Sequence, residues 1–194
     1  MLSIGITGGI GSGKSTVCSI LENLGYPVFY ADKVGREISD QNFKVINQIK
    51  NLLGDEAYKN GILNRTWVAQ RIFANTSLKD ALNAIIHPAV FEAFENWKKQ
   101  QNATIVFNES ALLFETNSYM RFDKTILLVA EQELRIQRVM SRDALKRDEI
   151  LSRMQQQLSD PEKILKADFV VQNNTTDLLL PQVLEIIKRL KSVI

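Results

Sequence analysis

Residues 4–17 read Ile-Gly-Ile-Thr-Gly-Gly-Ile-Gly-Ser-Gly-Lys-Ser-Thr-Val, an apolar run followed by a glycine-rich turn. Four of these residues fill the fixed positions of the phosphate-binding pattern G-x-x-x-x-G-K-[ST], namely Gly8, Gly13, Lys14 and Ser15. That pattern requires a strand before it and a helix after it. Both are predicted, because an apolar run precedes the glycines and apolar residues at helical spacing follow them. The chain is therefore predicted to bind a nucleoside triphosphate.

The residue types of this phosphate loop, residues 8–16, suit the chemistry of a triphosphate. Backbone N–H groups must turn inward around phosphate oxygens, which requires glycine where φ is positive or where the ligand comes close. Lys14 can reach the β and γ phosphates, and the Ser15 hydroxyl can bind Mg²⁺. The strand and helix around the loop argue against the alternative, a flexible glycine turn with a solvated lysine. The residues predicted to bind ATP are Gly11, Ser12, Gly13, Lys14, Ser15 and Thr16.

The composition of the 194 residues is that of an ordinary globular protein, with 45% hydrophobic and 24% charged residues. A net charge of +2 gives little support for a general affinity for nucleic acid or for membranes. The single cysteine, Cys18, cannot form an internal disulfide, which is typical of a reducing compartment. No apolar run reaches the roughly 18 residues that a membrane span needs. We therefore expect a cytoplasmic monomer with no nucleic-acid or membrane partner.

Short apolar segments alternate with helical patterns, which predicts a parallel sheet with helices on both faces. The predicted strands are residues 2–7, 28–30, 103–108, 124–129 and 169–171. The predicted helices are residues 14–24, 33–53 with a break near residue 40, 64–99, 131–158 and 175–190. Pro88 is expected to start a helix of its own within the third block, and Asn60-Gly61 is expected to form a turn. The fold class is therefore α/β, a three-layer P-loop NTPase fold with a five-stranded parallel sheet.

Several polar residues follow the predicted strands, and right-handed crossovers bring such positions to one edge of the sheet. Asp32 follows the second strand and could orient or deprotonate an acceptor hydroxyl, or hold a Mg²⁺-bound water; the structural alternative is a helix N-cap. Glu109 ends the third strand, where ATPases often carry an acidic residue associated with the metal; the alternative is a solvated loop carboxylate. Asn173 follows the fifth strand. For Glu115, the sequence leaves open whether the carboxylate faces the cleft or caps a turn.

Basic residues spaced +3, +4 and +4 share one face of the charged helical block at residues 131–158: Arg135, Arg138, Arg142 and Lys146. Guanidinium groups suit phosphate oxygens, and a mobile helical lid can bring them in after ATP binds. The alternative is a solvated helix laced with salt bridges. Arg142, and after it Arg138, are the predicted phosphate contacts. The only histidine, His87, is expected to be a structural hydrogen-bonding residue.

Six further segments accompany the phosphate loop in order: Ala31-Asp32; Ile-His-Pro-Ala-Val at 86–90; Leu-Leu-Phe-Glu at 112–115; Gln-Arg-Val-Met-Ser-Arg-Asp at 137–143; Arg153 with Gln157; and Ala-Asp-Phe-Val-Val-Gln-Asn-Asn at 167–174. Together these segments resemble the dephospho-CoA kinase family, and they cover nearly the whole chain. One departure is that the family commonly has Asp-x-Pro before Leu-Leu-Phe-Glu, whereas this chain has Glu109-Ser110-Ala111. An acid is retained there, and its role is left open.

The resemblance implies that ATP phosphorylates the ribose 3′-hydroxyl of dephospho-coenzyme A, with Mg²⁺, in the last step of coenzyme A synthesis. It implies that Asp32 is the catalytic acceptor-side base and that Asn173 lies near the adenine. The other predicted catalytic residues are those of the phosphate loop and the basic helix face, Lys14, Arg142 and Arg138. Within a single domain, residues 1–194, the resemblance implies three regions: a nucleotide-binding core of 1–32, 100–130 and 166–194, a helical acceptor-binding insertion at 33–99, and a helical lid at 131–165. Two alternatives stay open, a nucleoside or nucleotide kinase and a nucleotide-switch ATPase.

Overall fold

A computed structural model describes residues 1–73 and 75–193, in which strands and helices alternate. The strands are β1 (Leu2–Gly8), β2 (Val28–Tyr30), β3 (Tyr58–Lys59), β4 (Ile62–Leu63), β5 (Ile105–Glu109), β6 (Lys124–Val129) and β7 (Phe169–Gln172). The helices are α1 (Lys14–Asn23), α2 (Ala31–Gln41), α3 (Phe43–Leu53), α4 (Arg65–Phe73), α5 (Thr76–Lys99), α6 (Gln132–Asp143), α7 (Arg147–Met154), α8 (Asp160–Ile164) and α9 (Leu179–Lys191). Short 3₁₀ helices occupy Asp55–Ala57 and Ser118–Arg121.

The main sheet is a five-stranded parallel sheet in the order β2-β5-β1-β6-β7, which confirms the predicted α/β fold. The central strand β1 pairs with β5 on one side and with β6 on the other, so that Ile6 lies opposite both Glu109 and Ile126. Buried strands of this kind read as continuous apolar runs, since helices cover both faces. The register brings the end of β5 level with the last residues before the phosphate loop.

The chain divides into two compact units, residues 1–29 with 101–194 and residues 30–100. The first unit contains the phosphate loop, most of the sheet and helices α1 and α6–α9. The second unit is mainly helical and has a core of its own, made of Val45, Ile49, Ala57, Leu63, Val68 and Leu82. Across the described ranges, we find no helix with both the length and the apolar character that crossing a bilayer requires.

The second unit contains a small hairpin, β3 with β4, that the sequence patterns did not predict as strands. Its turn is Asn60-Gly61, where both residues have positive φ, 53° and 80°, as the predicted turn requires. Asp40 holds the hairpin, because its carboxylate accepts hydrogen bonds from the Leu63 N–H at 3.0 Å and from Arg65 at 2.7 Å. Burial alone would raise the pKa of Asp40, but these hydrogen bonds and the charge of Arg65 outweigh it and lower the pKa.

Several helix boundaries differ from the predicted ones. The blocks predicted at 64–99 and 131–158 are each divided into two helices, and the last helix begins at Leu179 instead of residue 175. Pro88 lies inside the continuous helix α5 and does not start a helix. Proline removes one backbone hydrogen bond there, and burial of Leu82 and Phe94 on its two sides holds the 24-residue helix together. Helix α6 ends at Asp143, since Ala144 has a left-handed φ of 53°. Lys146 therefore lies outside that helix, and the predicted four-residue basic face is wrong at its last position.

Candidate active site

The phosphate loop turns from the end of β1 into the start of α1, and its glycines are required by backbone geometry and by close contacts. Gly11 and Gly13 have φ values of 80° and 97°, in the left-handed region that favours glycine. A Cβ atom on Gly9 would collide with the Arg135 guanidinium, and one on Gly13 would collide with the Asn173 amide. A larger residue at these positions would therefore displace the side chains that support the loop.

The start of α1 has the features of an anion site. Within the described residues, its N-cap position, Gly13, makes no side-chain capping hydrogen bond, and its first turn contains no acidic residue. The partial positive charge of the helix N-terminus is therefore left for a ligand. Lys14, at the first position of the helix, donates a hydrogen bond from Nζ to the Gly8 carbonyl at 2.9 Å. Ser15 and Thr16 lie exposed in the same turn.

Asn173 holds the backbone of the phosphate loop through a side-chain hydrogen bond. Its side chain is buried, and its Nδ2 donates a hydrogen bond to the Ser12 carbonyl at 2.7 Å. Its backbone N–H donates to the Val129 carbonyl at 2.9 Å, which fixes the residue at the end of the sheet. The predicted position of Asn173 near adenine stays a prediction. The observed contact is with the backbone of the loop.

Arg135 and Gln157 also contact the loop, and the sequence patterns did not predict this role for either residue. Arg135 is only 9% exposed; its guanidinium packs against Gly9 and lies 3.5 Å from the Asp160 carboxylate. The Gln157 Oε1 accepts a hydrogen bond from the Ile10 N–H at 3.0 Å. From the sequence, Gln157 could have been singled out only because it belongs to one of the segments that resemble the dephospho-CoA kinase family. Hydrophobic periodicity does not distinguish this glutamine from its neighbours.

The other two arginines of α6 differ in environment. Arg138 is half-buried, and its Nη1 has no hydrogen-bond partner among the residues that the structure describes. Arg142 is exposed and binds Asp143 through two hydrogen bonds of 2.7 Å each. These hydrogen bonds raise the pKa of Arg142 and lower the pKa of Asp143. The phosphate contacts predicted for Arg142 and Arg138 stay predictions.

Asp32 lies exposed in the first turn of α2, in the second unit. The N-cap of that helix is Tyr30, so the alternative interpretation of Asp32 as an N-cap is wrong. A carboxylate in the first turn still interacts favourably with the helix dipole. His87 is exposed on α5, in the same unit. Its expected structural role stays a prediction.

The two acidic residues Glu109, at the end of β5, and Glu115, in the loop after it, contact different parts of the first unit. Glu109 is the last residue of β5, and its charge contributes, after burial, to raising the pKa of the Cys18 thiol to about 12. Cys18 is therefore a protonated, buried thiol at neutral pH. Glu115 contacts the segment before α8, because its Oε1 accepts a hydrogen bond from the Leu158 N–H at 3.0 Å. The same oxygen lies 2.8 Å from Nζ of Lys163, whose side chain is completely buried. The two roles expected for Glu115, facing the cleft or capping a turn, stay predictions.

A cleft of about 610 Å³ opens beside the phosphate loop in the first unit. Its wall is formed by the end of β6, the start of α6, the end of α7 and residues 155–161. Arg135 and Gln157 line this cleft and also contact the loop, so the cleft and the loop adjoin. Its volume lies within the range of small-molecule sites.

Comparison with known proteins finds relatives over nearly the whole chain. A sequence model described as dephospho-CoA kinase matches residues 2–178. The chain is 37% identical over 187 residues to a dephospho-CoA kinase of Bacteroides fragilis, covering 96% of this chain and 91% of that protein. It is 39% identical over 180 residues to a dephospho-CoA kinase of Salinibacter ruber, covering 91% and 90%.

Solved structures extend the likeness to the fold. The protein TT1252 of Thermus thermophilus superposes with a TM-score of 0.86 at 34% identity, covering 100% of this chain and 97% of that one. A dephospho-CoA kinase of Campylobacter jejuni gives 0.68 at 27% identity, with 99% and 98% covered. A shikimate kinase of Acinetobacter baumannii, at 17% identity and a TM-score of 0.52 over 99% and 94% of the chains, shares the fold alone.

Proposed function

The chain belongs to the dephospho-CoA kinase family, and on that premise we propose that it transfers the γ-phosphoryl group of ATP to the ribose 3′-hydroxyl of dephospho-coenzyme A. The observation that carries the proposal is the phosphate loop. Its positive-φ glycines, its lysine and its uncapped helix N-terminus form an anion site in a chain that matches the family from residue 2 to residue 178.

The proposed reaction is an in-line displacement at the γ phosphorus. The acceptor 3′-oxygen forms a bond to phosphorus, the bond from phosphorus to the bridging β–γ oxygen breaks, and ADP leaves. The hydroxyl proton passes to the Asp32 carboxylate, which first orients the attacking oxygen. Lys14 stabilises negative charge on the β and γ oxygens, so that catalysis comes from positioning and charge neutralisation.

The oxygen atoms near the loop fit Mg²⁺. The Ser15 hydroxyl is exposed in the first turn of α1, and Glu109 ends the strand next to β1. Mg²⁺ prefers such oxygen ligands and takes the rest of its coordination from water and substrate phosphates. When bound, the ion would neutralise charge on the phosphate oxygens. We propose that Ser15 would hold the ion, with Glu109 as the acidic residue associated with it.

The remaining regions have proposed roles that follow the family. The ATP phosphates bind residues 11–16, and the nucleoside occupies the adjoining cleft near Asn173. Residues 33–99 bind the acceptor, and residues 131–165 act as the lid that brings Arg142 and Arg138 to the phosphates and excludes water. We further propose that the protein is a cytoplasmic monomer, which sedimentation of the purified protein would test for the oligomeric state.

The proposed activity is tested by ADP release from Mg²⁺-ATP with dephospho-coenzyme A, adenosine, AMP or no acceptor. We expect strong stimulation by dephospho-coenzyme A alone, with coenzyme A appearing in mass spectrometry. Stimulation by adenosine or AMP alone would keep the phosphate chemistry and change the substrate. Equal release without any acceptor would overturn the kinase assignment in favour of a nucleotide switch.

The role of Asp32 is tested by Asp32→Asn, with Glu37→Gln, an exposed change in the same helix, as the matched control. Loss of the proton acceptor should lower kcat by about a hundredfold, while ATP affinity measured by calorimetry stays unchanged. The control should keep both values. Loss of ATP binding in a folded Asp32→Asn variant would instead assign Asp32 a role in binding ATP or its metal.

A further inference from the structure

We propose that Gln157 is a positioning residue that holds the phosphate loop in its nucleotide-binding conformation and ties the loop to segment 131–165. The proposal rests on the proposed function, because ATP is taken as the ligand of the loop. It adds a residue that does not touch phosphate and acts through the backbone of the loop.

The geometry uses both ends of one side-chain amide. Gln157 lies between α7 and α8; its Oε1 accepts a hydrogen bond from the Ile10 N–H at 3.0 Å, and its Nε2 donates to the Ala111 carbonyl at 3.2 Å. Ile10 belongs to the loop after β1, and Ala111 follows the neighbouring strand β5. Gln157 therefore fastens these two loops to each other and to the segment that carries it.

Asn173 holds the same loop two residues further along. Its Nδ2 donates to the Ser12 carbonyl at 2.7 Å, while Gln157 accepts from the Ile10 N–H. Gly11, with its left-handed φ, lies between the two held peptide groups. The conformational entropy of this turn is therefore lost on folding, and binding of phosphate need not order it again.

A neutral amide suits this position better than a charged group would. A carboxylate at residue 157 would repel the phosphates that the loop binds, and an ammonium group would compete with Lys14 for them. The amide satisfies a backbone donor and a backbone acceptor without adding charge.

The backbone that carries Gln157 is itself held. The next residue, Leu158, donates its N–H to Glu115 at 3.0 Å, and Glu115 pairs with the completely buried Lys163. From the other side, Arg135 packs against Gly9 and lies close to Asp160. A movement of residues 157–160 would therefore act on the loop through Gln157, which couples the segment to the ATP site.

The test compares Gln157→Leu with Gln156→Leu, a change at the exposed neighbouring glutamine. Calorimetry measures ATP affinity, amide hydrogen exchange by NMR follows Ile10, and steady-state kinetics separates KM from kcat. In Gln157→Leu we expect ATP affinity to fall about tenfold, KM for ATP to rise similarly, and exchange at Ile10 to accelerate. KM for dephospho-coenzyme A should not change, and Gln156→Leu should match the unmodified protein.

Gln157→Glu gives an independent result. It keeps an acceptor for the Ile10 N–H but replaces the donor to Ala111 with negative charge, so Ile10 should stay protected while ATP affinity falls. This variant decides the question if Gln157→Leu does not fold. Unchanged ATP affinity in a folded variant of either kind would overturn the proposal, as would unchanged Ile10 exchange in Gln157→Leu.

Failure of the proposed function would look different. A protein that binds ATP but does not phosphorylate dephospho-coenzyme A would contradict the assigned activity. The ATP affinities and the Ile10 exchange rates would still decide the role of Gln157 in that case.

Discussion

The phosphate loop and the exposed Arg142 of α6 make different kinds of contact. The loop is held by amide side chains distant in sequence, since Gln157 and Asn173 bind backbone groups 147 and 161 residues away. On α6, the exposed Arg142 binds its immediate neighbour Asp143. The loop therefore depends on the whole first unit, whereas the contacts of this arginine are local.

The long-range hydrogen bonds of the loop are also costlier to break than the local ion pair of Arg142. An exposed ion pair contributes about 0–1 kcal/mol, so an arginine can exchange a carboxylate for a phosphate at little cost. Breaking a buried hydrogen bond to a loop backbone leaves a polar group unsatisfied, at about 1–3 kcal/mol. The comparison indicates that the loop is already held in its conformation and that the ion pair of Arg142 costs little to exchange, and four predictions test it.

Lys14→Ala should have the largest effect, because the charge of Lys14 acts on phosphate oxygens inside the loop. We expect phosphoryl transfer to fall by about a thousandfold or more, measured as coenzyme A formation. Lys188→Ala, an exposed change on α9, is the control and should retain full activity. More than a tenth of the activity remaining in Lys14→Ala would contradict the assigned role.

Lys163→Met tests the ion pair between the buried Lys163 and Glu115. Removing the cation leaves the Glu115 carboxylate buried and uncompensated, so the free energy of unfolding should fall by about 3–5 kcal/mol. Denaturant unfolding followed by circular dichroism measures this change. The double variant Lys163→Met with Glu115→Gln should recover part of the loss, and Lys166→Met, at an exposed lysine, should change little. A single variant as stable as the unmodified protein would show that the pair does not hold this segment.

Arg142→Ala should separate activity from stability. We expect kcat to fall by about ten- to a hundredfold, while the free energy of unfolding changes by no more than about 0.5 kcal/mol. Arg147→Ala is the matched control, because Arg147 is also exposed and paired, in its case with Glu133. Equal losses of kcat in both variants would mean that the assignment of Arg142 to phosphate is wrong.

The pH dependence of Asp143 should be the smallest effect. Its hydrogen bond with Arg142 lowers the pKa of the carboxyl below 3.8, outweighing the opposing effect of burial. A folded-state pKa below the unfolded value means that the stabilisation is present above pH 3.8 and is lost as the pH falls through the lowered pKa. NMR titration should show this low pKa in the unmodified protein and a return towards 3.8 in Arg142→Ala. An identical midpoint in both would indicate that the pair is not formed in solution.

Local patterns were sufficient to predict the main sheet and the phosphate loop. The predicted strand at 2–7 is observed as Leu2–Gly8, and the one at 169–171 as Phe169–Gln172. Apolar runs and glycine spacing are properties of adjacent residues, so they are visible in a single sequence. The prediction for Pro88 was wrong because it used only the local preference of proline for helix starts. That preference does not reveal the packing that keeps α5 continuous past Pro88.

The fold class, the position of the phosphate loop and the family could be predicted from the amino-acid sequence, because these depend on short-range spacing and on motifs in a fixed order. The contacts of Gln157 and Asn173 with the loop, and the pairing of Glu115 with a buried Lys163, became visible in the folded structure. A glutamine or a lysine is polar wherever it occurs, and the residues next to it in the sequence do not indicate which distant group its side chain contacts. Those contacts form only when packing brings the loops after β1 and β5 against residues 157–163 and the end of β7.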